Sequence, residues 1–405
     1  MKKIYWVLLL FIPLLYAEPC IDLGVDVFFK EARYQQLAGK KIGLITNHTS
    51  ISSDQKTTLE LFQGQGLKVV ALFFPEHGSS GTFHAEEKFE DQKAGKILSF
   101  SLYGNHRRPT AEMLKEIDAL VYDIQEIGCR SYTYATTLFY VMEEAAKKGI
   151  EVWVLDRPNP LGGVVVDGPM LKEKLRSFVG YINVPYCHGM TIGELARFFN
   201  QEYKVNCRLK VVPMKGWKRG MTFAQTGLIW IPTSPQIPEA DTPFFYPATG
   251  LLGELQLVSI GVGYTLPFKV VGAPWIDAGK FAFALNHQKL GGVKFLPFHF
   301  KPFFGPYKHE ECHGVRLVVT NPQKYHPVTT DFLMLGILKS LYPGEVKTRL
   351  ENLPEKKKTM FCKLSGTPDI WEILTKEQYA GWKMAAVDHD ERKAFLEKRQ
   401  KYLLY

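Results

Sequence analysis

Beyond its first residues the chain has no apolar run approaching the roughly 20 residues needed to cross a bilayer, which excludes a multi-span membrane protein. It has no CxxC pair, and its six cysteines (Cys20, Cys129, Cys187, Cys207, Cys312, Cys362) are too sparse for a disulfide scaffold or a cysteine metal site. Buried free thiols, with at most one bridge, are expected. Internal repeats and low-complexity segments are lacking. Glycine is missing where a dinucleotide fold needs it: the turn after the first predicted strand reads Asn47-His48-Thr49-Ser50, not GxGxxG. A Walker phosphate loop and a GxSxG nucleophile elbow are also absent. No cofactor is expected. Charge of one sign is little clustered. The net charge is +9, yet the only dense basic run is Lys356 to Lys358, without interleaved aromatics. That run predicts a solvated loop and no nucleic-acid partner, whereas the summed field favours acidic partners such as anionic glycans.

What is present describes a folded globular chain. Hydrophobic residues make up 46% and charged residues 22% of 405 residues, so two domains are expected. Lys2 and Lys3 precede an apolar run from Ile4 to Leu15, and Ala17 follows. This predicts a signal peptide over residues 1–17 and an exported chain, periplasmic or extracellular, with no stable membrane insertion after cleavage. Cys20 is not read as a lipidation site, because Pro19 precedes it where a small residue is required.

Short apolar runs at Lys41 to Thr46, Val69 to Phe74, Ala119 to Tyr122 and Val152 to Leu155 predict buried parallel strands. Between them, Asp54 to Gln65, Pro109 to Glu116 and Thr136 to Lys148 have helical length, and Thr191 to Gln201 predicts another helix. Alternation of this kind predicts an α/β fold with a Rossmann-like parallel sheet over residues 18–240. Trp230 to Pro274, dense in Pro and Gly, reads as a long loop region. Helices over Ala278 to Gln288 and Thr330 to Tyr342, with a strand over Val315 to Thr320, predict a second, smaller α/β domain over residues 241–405 that completes a cleft.

Unusual polar groups recur after each predicted strand: Asn47-His48-Thr49, Pro75-Glu76-His77-Gly78, Asp123-Ile124-Gln125-Glu126 and Asp156-Arg157-Pro158-Asn159. In open α/β sheets that edge binds ligands. Turn formation alone also favours Asn, Asp and Pro there, but not repeated carboxylates. Glu76, Glu87, Asp123 and Glu126 are candidates for the paired carboxyl groups of glycoside hydrolysis. His309-Glu310-Glu311-Cys312-His313 matches HExxH, a zinc pattern that works only on a helix. Pro306 before it and a β-like run after it predict a turn entering a strand, and no metal site. Pro243-Phe244-Phe245-Tyr246-Pro247, Tyr264 and Trp275 are read either as a sugar-stacking platform or as packing.

Many of these segments resemble one family. Gly43-Leu44-Ile45-Thr46-Asn47, Pro75-Glu76-His77-Gly78, Ser101-Leu102-Tyr103-Gly104, Asp123-Ile124-Gln125 with Gly128 and Arg130, and Tyr132-Thr133-Tyr134 belong to the pattern. So do Leu155-Asp156-Arg157-Pro158-Asn159-Pro160, Asp167-Gly168-Pro169, the segment from His188 to Ala196, and Tyr246-Pro247. From about Gly24 onward the chain is similar to the NamZ-type exo-β-N-acetylmuramidases. The resemblance implies a Rossmann-like domain beside a smaller α/β domain, with hydrolysis of N-acetylmuramic acid from the non-reducing end of peptidoglycan fragments. It implies Glu76 as the catalytic acid, Asp123 or Glu126 as its partner, and His77 and Arg130 as positioning groups. Arg130 or Arg157 is then a candidate clamp for the lactyl carboxylate of the sugar. Asn47, Glu87, Gln125, Tyr132, Tyr134, Asp156, His188 and Tyr246 complete the candidate substrate contacts. The chain departs from the family at Val262, where an arginine between two glycines is usual, at Glu126, where Asp is commoner, and at Glu86 beside Glu87. A non-catalytic muropeptide binder is therefore the alternative.

Overall fold

A computed structural model describes residues 20–82, 92–94 and 97–405. The predicted leader, Glu86 and Glu87 lie outside these residues. Among the described residues the first sheet contains β1 (Lys41–Thr46), β2 (Lys68–Phe74), β3 (Gln92–Ala94), β4 (Ile97–Ser101), β5 (Ala119–Asp123), β6 (Glu151–Leu155) and β7 (Arg208–Val212). Their order is β3-β4-β2-β1-β5-β6-β7, and every pairing is parallel except β3 with β4. Without β3, this is the 3-2-1-4-5-6 order of a doubly wound sheet. The order reverses between β1 and β5, where Thr46 and Asp123 are level partners.

The strands read as unbroken apolar runs because both faces are covered. Ile42, Leu44, Val121 and Trp153 pack on one face with Phe28 of α1 (Gly24–Lys30) and Phe62 of α2 (Thr58–Gly64). Phe73, Leu120, Tyr122 and Val154 pack on the other with α3 (Tyr134–Lys148) and α4 (Ile192–Glu202). Each large side chain so buried contributes roughly 1.5–3 kcal/mol. Thr57 and Thr191 start α2 and α4 with reciprocal bonds to Glu60 and Glu194. Gly149, at φ +65°, ends α3 after Lys147 and Lys148.

Several elements differ from the sequence reading. Pro109 to Glu116 is a run of turns rather than a helix, since so short a segment cannot offset helix nucleation without its own packed face. The supposed loop from Trp230 to Pro274 contains α5 (Thr242–Glu254) and β8 (Val270–Ala273). Pro243 lies in the first turn of α5, where no N–H is required, and burial of Phe244, Phe245, Ala248, Leu251 and Leu252 outweighs the donor missing at Pro247. The second sheet is antiparallel, in the order β8-β10-β9, with β9 spanning Val293–Phe300 and β10 Cys312–Val319. It packs against α6 (Ala278–His287), which in turn meets α7 (Pro327–Leu341). Five further helices follow: α8 (Pro343–Glu351), α9 (Glu355–Ser365), α10 (Asp369–Lys376), α11 (Ala380–Ala386) and α12 (His389–Arg399). Lys356 to Lys358 lie in α9, not in a loop. Gly336 and Gly381 let α7 and α11 touch, since a Cβ on Gly336 would sit 2.5 Å from the Gly381 amide nitrogen.

His309 stands in a turn at φ +65° and His313 lies in β10, so the two imidazoles of the HExxH match share no helix face. All six cysteines are free thiols, four of them buried. The tail returns to the first sheet. Tyr405 donates its hydroxyl to Asp156 Oδ2 at 2.7 Å and accepts the Met214 amide at 2.8 Å. Tyr405→Phe should therefore lower unfolding free energy by about 1–3 kcal/mol, read as a lower denaturant midpoint with an unchanged slope.

Candidate active site

The carboxyl edge of the sheet gathers the loops after β1, β2 and β5. Glu76 and His77 occupy the turn after β2, with His77 at φ +71° and Gly78 at φ +74°. The Gly78 amide closes the turn onto the Pro75 carbonyl at 3.1 Å. Across from it the β5 loop runs into α3. Thr133 stands where a helix-capping residue belongs, but its hydroxyl caps nothing. It donates instead to Glu76 Oε2 at 2.6 Å. That bond makes Oε2 an acceptor and leaves Oε1 as the oxygen that can carry a proton outward.

Aromatic hydroxyls frame this carboxyl group. Tyr132 and Tyr134 meet edge to face at 4.8 Å between ring centres, and the His77 ring stands edge-on to Tyr134 at 6.4 Å. Tyr132 donates to Thr233 Oγ1 at 2.9 Å, and Tyr134 donates to the Thr233 carbonyl at 2.6 Å. These two bonds tie the 232–234 segment to the β5 loop. Ser131 lies within 3.3 Å of the Tyr246 hydroxyl and donates to that of Tyr186 at 2.8 Å. Tyr246 thus reaches the site from α5. Tyr264 packs on Phe298 and Phe300 of the second sheet, and Trp275 donates to Tyr307. Tyr246, through Ser131 and Tyr132, is thus joined to the Glu76 surroundings, whereas Tyr264 and Trp275 are packed within the smaller unit.

Glu126 is buried near the tyrosine pair, and neither of its oxygens has a hydrogen-bond partner. Burial pushes its carboxyl up to about 8. The nearby amides of Ile127 and Ala135 oppose that rise without reaching hydrogen-bond geometry. It is consequently uncharged at neutral pH, and its oxygens are shut off from the solvent that a substrate would displace.

Other predicted residues serve the scaffold. Both oxygens of Asp123 are taken: Arg157 pairs with it through Nε and Nη2, the latter at 2.9 Å, and Thr58 donates to Oδ2. With the Asp123 side chain fully buried, this candidate partner of Glu76 cannot meet a sugar. Arg157 Nη2 also donates to the Ile51 carbonyl at 2.8 Å, so the Nε–Nη2 edge that would grip a lactyl carboxylate is already bound to the scaffold. Arg130 is spent as well. Its Nη1 donates to the carbonyls of Pro169 at 2.7 Å and Val184 at 2.6 Å, and its Nη2 to those of Leu364 and Ser365 at 3.0 Å. Burial brings its guanidinium down to about 10. Gln125 clips the Glu126 and Pro158 carbonyls at 2.7 and 2.8 Å. Asp156 accepts from Arg157 N, Gly193 N, Thr191 and Tyr405, and burial still pushes its carboxyl up to about 6. His188 is buried and held down to about 3 by desolvation and by Arg399 and Arg130. Gly128, at φ +85°, lets the β5 loop pass Asn159, whose Oδ1 would lie 2.2 Å from a Cβ there.

Asn47 is intermediate in character. Its Oδ1 accepts from the Thr49 amide at 2.9 Å and hydroxyl at 2.6 Å, while its buried Nδ2 has no partner. Thr133, Thr233, Ser131 and Tyr186 were not among the predicted contacts. Thr133 alone carried a signal, standing between two motif tyrosines ahead of a helix. His48 was also passed over as a site residue. Its Nε2 lies 2.5 Å from the Pro232 carbonyl, Gly81 packs on its ring, and burial lowers its basicity. Beneath these loops a crevice of about 30 Å³, lined by Thr49, Gln125 and Arg157, is water-sized and too small for a sugar ring. Val262 is half-buried in the turn that leads to Phe268, and Phe268 packs on Tyr246 at 5.1 Å between ring centres.

A doubly wound sheet with a carboxyl group held by a hydroxyl near tyrosines at its strand ends, beside a smaller α/β unit, has the form of an α/β enzyme with its site at the carboxyl edge. Comparison with known proteins narrows the class. Residues 42–241 match the family model for the N-terminal part of the exo-β-N-acetylmuramidase NamZ, and residues 244–405 match that for its C-terminal part. The chain belongs to this family. It is 39% identical over 394 residues to the peptidoglycan β-N-acetylmuramidase NamZ of Bacillus subtilis (strain 168), covering 96% of this chain and 92% of the relative. Two crystal structures of DUF1343 family proteins from Bacteroides fragilis NCTC 9343 are also similar. One has TM-score 0.89 and 41% identity, the other 0.74 and 27%, each over 95% of this chain and 99% of the neighbour.

Two outcomes follow from the buried charges. Asp123→Asn should lower unfolding free energy by about 3–5 kcal/mol in chemical denaturation, because it strands the buried Arg157. Glu126 binds its proton more tightly folded than unfolded, so its stabilisation is full below about pH 4.5 and is lost as pH rises to about 8. Glu126→Gln should flatten that decline when melting temperatures are compared between pH 5 and pH 8.5.

Proposed function

We propose that this chain is an exo-acting β-N-acetylmuramidase that releases N-acetylmuramic acid from the non-reducing end of peptidoglycan fragments in cell-wall turnover or recycling. The observation that carries the reading is the Thr133 hydroxyl on Glu76 Oε2 at 2.6 Å, within a family whose named activity is this hydrolysis. Glu76 is the general acid: with Oε2 held as acceptor, Oε1 gives its proton to the departing glycosidic oxygen as the bond to the anomeric carbon breaks, and a water completes that carbon and returns a proton to the carboxylate. Tyr246, half-buried on α5, offers its ring to the sugar with Tyr132 beside it, the fully buried Tyr134 backs that pair, and His77 and Asn47 flank the acid as polar contacts.

Export accords with this substrate, since Lys2, Lys3 and the apolar run to Leu15 have the form of a leader. Among the described residues no helix is long and apolar enough to cross a membrane. The departure at Val262 motivates the second reading, a muropeptide binder without turnover.

Incubation of the purified protein with a chromogenic β-glycoside of N-acetylmuramic acid distinguishes the two. Turnover is expected in the wild type. Glu76→Gln should lower kcat by at least about 100-fold, whereas Thr133→Ala should lose activity partially and shift the pH profile. Full activity in Glu76→Gln removes Glu76 as the acid, and tight binding without turnover in the wild type favours the binder.

A further inference from the structure

Two of the six cysteines face each other in the loop that carries Thr133. Cys129 lies in that loop and Cys187 in the extended segment before His188, and the two are direct partners in an isolated antiparallel bridge. One residue along from each, the Arg130 amide donates to the Tyr186 carbonyl at 2.7 Å. That bond makes Cys129 and Cys187 a pair without hydrogen bonds to one another, the place in an antiparallel ladder where opposite residues come closest, at about 4.5 Å between Cα atoms. A disulfide requires about 4.4–6.8 Å, so the backbone is already set for one. Both side chains are fully buried thiols. Burial first, and then the Cys129 thiol within hydrogen-bond reach, hold the Cys187 thiol well above its ordinary range. On its other side Cys187 exchanges both main-chain bonds with Asp167, at 2.9 and 3.1 Å, and the Asp167 carboxylate is held by Thr329 of α7. The remaining cysteines have other neighbours: Cys20 faces the carbonyls of Gln225 and Thr226, Cys207 precedes β7, Cys312 faces the Glu310 carbonyl, and Cys362 lies on α9.

We propose that Cys129 and Cys187 are joined by a disulfide in the exported protein, and that this bond clamps the loop presenting Thr133 to Glu76 onto the segment that leads through Asp167 to α7. The oxidising compartment rests on the export proposed above. In the reaction one cysteine thiolate attacks a disulfide-bearing oxidant and releases its first thiol. The second cysteine thiolate then attacks the mixed disulfide and releases the other. The chain gives up two protons and two electrons, and the oxidant leaves as two thiols. In the folded chain neither sulfur meets solvent and the Cys187 thiolate is disfavoured, which makes both unreactive. The bond therefore forms while the chain folds, before the β5 loop closes over the pair. It restrains the unfolded chain over the long segment between residues 129 and 187. In the folded chain it reinforces two weaker ties of the same loop to the same segment, the Arg130 amide on the Tyr186 carbonyl and the Ser131 hydroxyl on that of Tyr186.

The test produces the chain from Glu18 onward twice in a bacterial host, once sent to the periplasm by an unrelated export leader and once kept in the cytoplasm. After denaturation and alkylation, the cytoplasmic chain should show six free thiols and the periplasmic chain four, the six less the bridged pair. A digest of the periplasmic chain should contain the peptides of Cys129 and Cys187 linked and lighter by two hydrogens. The bridged chain should melt a few degrees above the cytoplasmic one. That difference should vanish in Cys187→Ala and persist in Cys362→Ser. Six free thiols in the periplasmic chain overturn the pairing, as does a bridge from either residue to another cysteine, and the mapping needs no variant to fold. A bridged chain that melts no higher than the reduced one overturns the clamp. A third culture expresses the protein with its own leader. If that chain stays in the cytoplasm while the periplasmic one carries the bridge, the pairing is upheld and the export reading alone is struck.

Discussion

The Asp123–Arg157 pair is the interaction on which the catalytic edge depends. Asp123 ends β5 at the point where the strand order reverses, and Arg157 follows the end of β6. Their buried contact draws in Thr58 from the start of α2 and the Ile51 carbonyl from the β1 loop. Three crossover connections are thereby locked to one ion pair. A buried pair of this kind adds little net stability over an apolar filling, but it tolerates few alternative arrangements of its surroundings. Its value here lies in setting where the neighbouring loops can go. The loop from Ile124 to Thr133, which carries the hydroxyl bound to Glu76, departs directly from it.

Around that pair the edge divides into layers of different character. Close to the sheet, Asp123, Arg157, Gln125 and Asp156 satisfy backbone groups and one another. Further out, Glu76 meets Thr133, and Tyr132 and Tyr134, on either side of that threonine in the chain, meet edge to face. Glu126 lies between these layers without a partner for either oxygen. Polar groups that close on themselves make a rigid platform, and a platform of that kind can hold a reacting carboxyl within the tolerance that catalysis needs.

The strands and the doubly wound sheet were legible because two-sided burial leaves continuous apolar runs, and the run from Lys41 to Thr46 coincides with β1. The ligand edge followed from the same reading, since strand ends locate it. What could not be read was the role of each polar residue there. Asp123 and Glu76 follow strands in similar fashion, yet one meets an arginine 34 positions downstream and the other a threonine 57 positions away. Pairings at that separation are set by packing and leave no local spacing. Arg130 misled for a related reason: its four acceptors are main-chain carbonyls, two of them more than 230 positions away in α9, and carbonyls carry no sequence signature. The helix over Thr242–Glu254 was hidden by its prolines, whose penalty is set by where in a helix they fall.

Asp156 draws one of its donors from Tyr405, 249 positions downstream. Contacts that span so much of a chain close late and slowly, because the entropy of the intervening loop has to be overcome before the contact gives anything back. Until then a carboxyl group at the end of a central strand is short of a partner in its apolar setting. Thr191, Gly193 and Arg157 serve that carboxyl from within the doubly wound half, and its last donor arrives only when the distant tail docks.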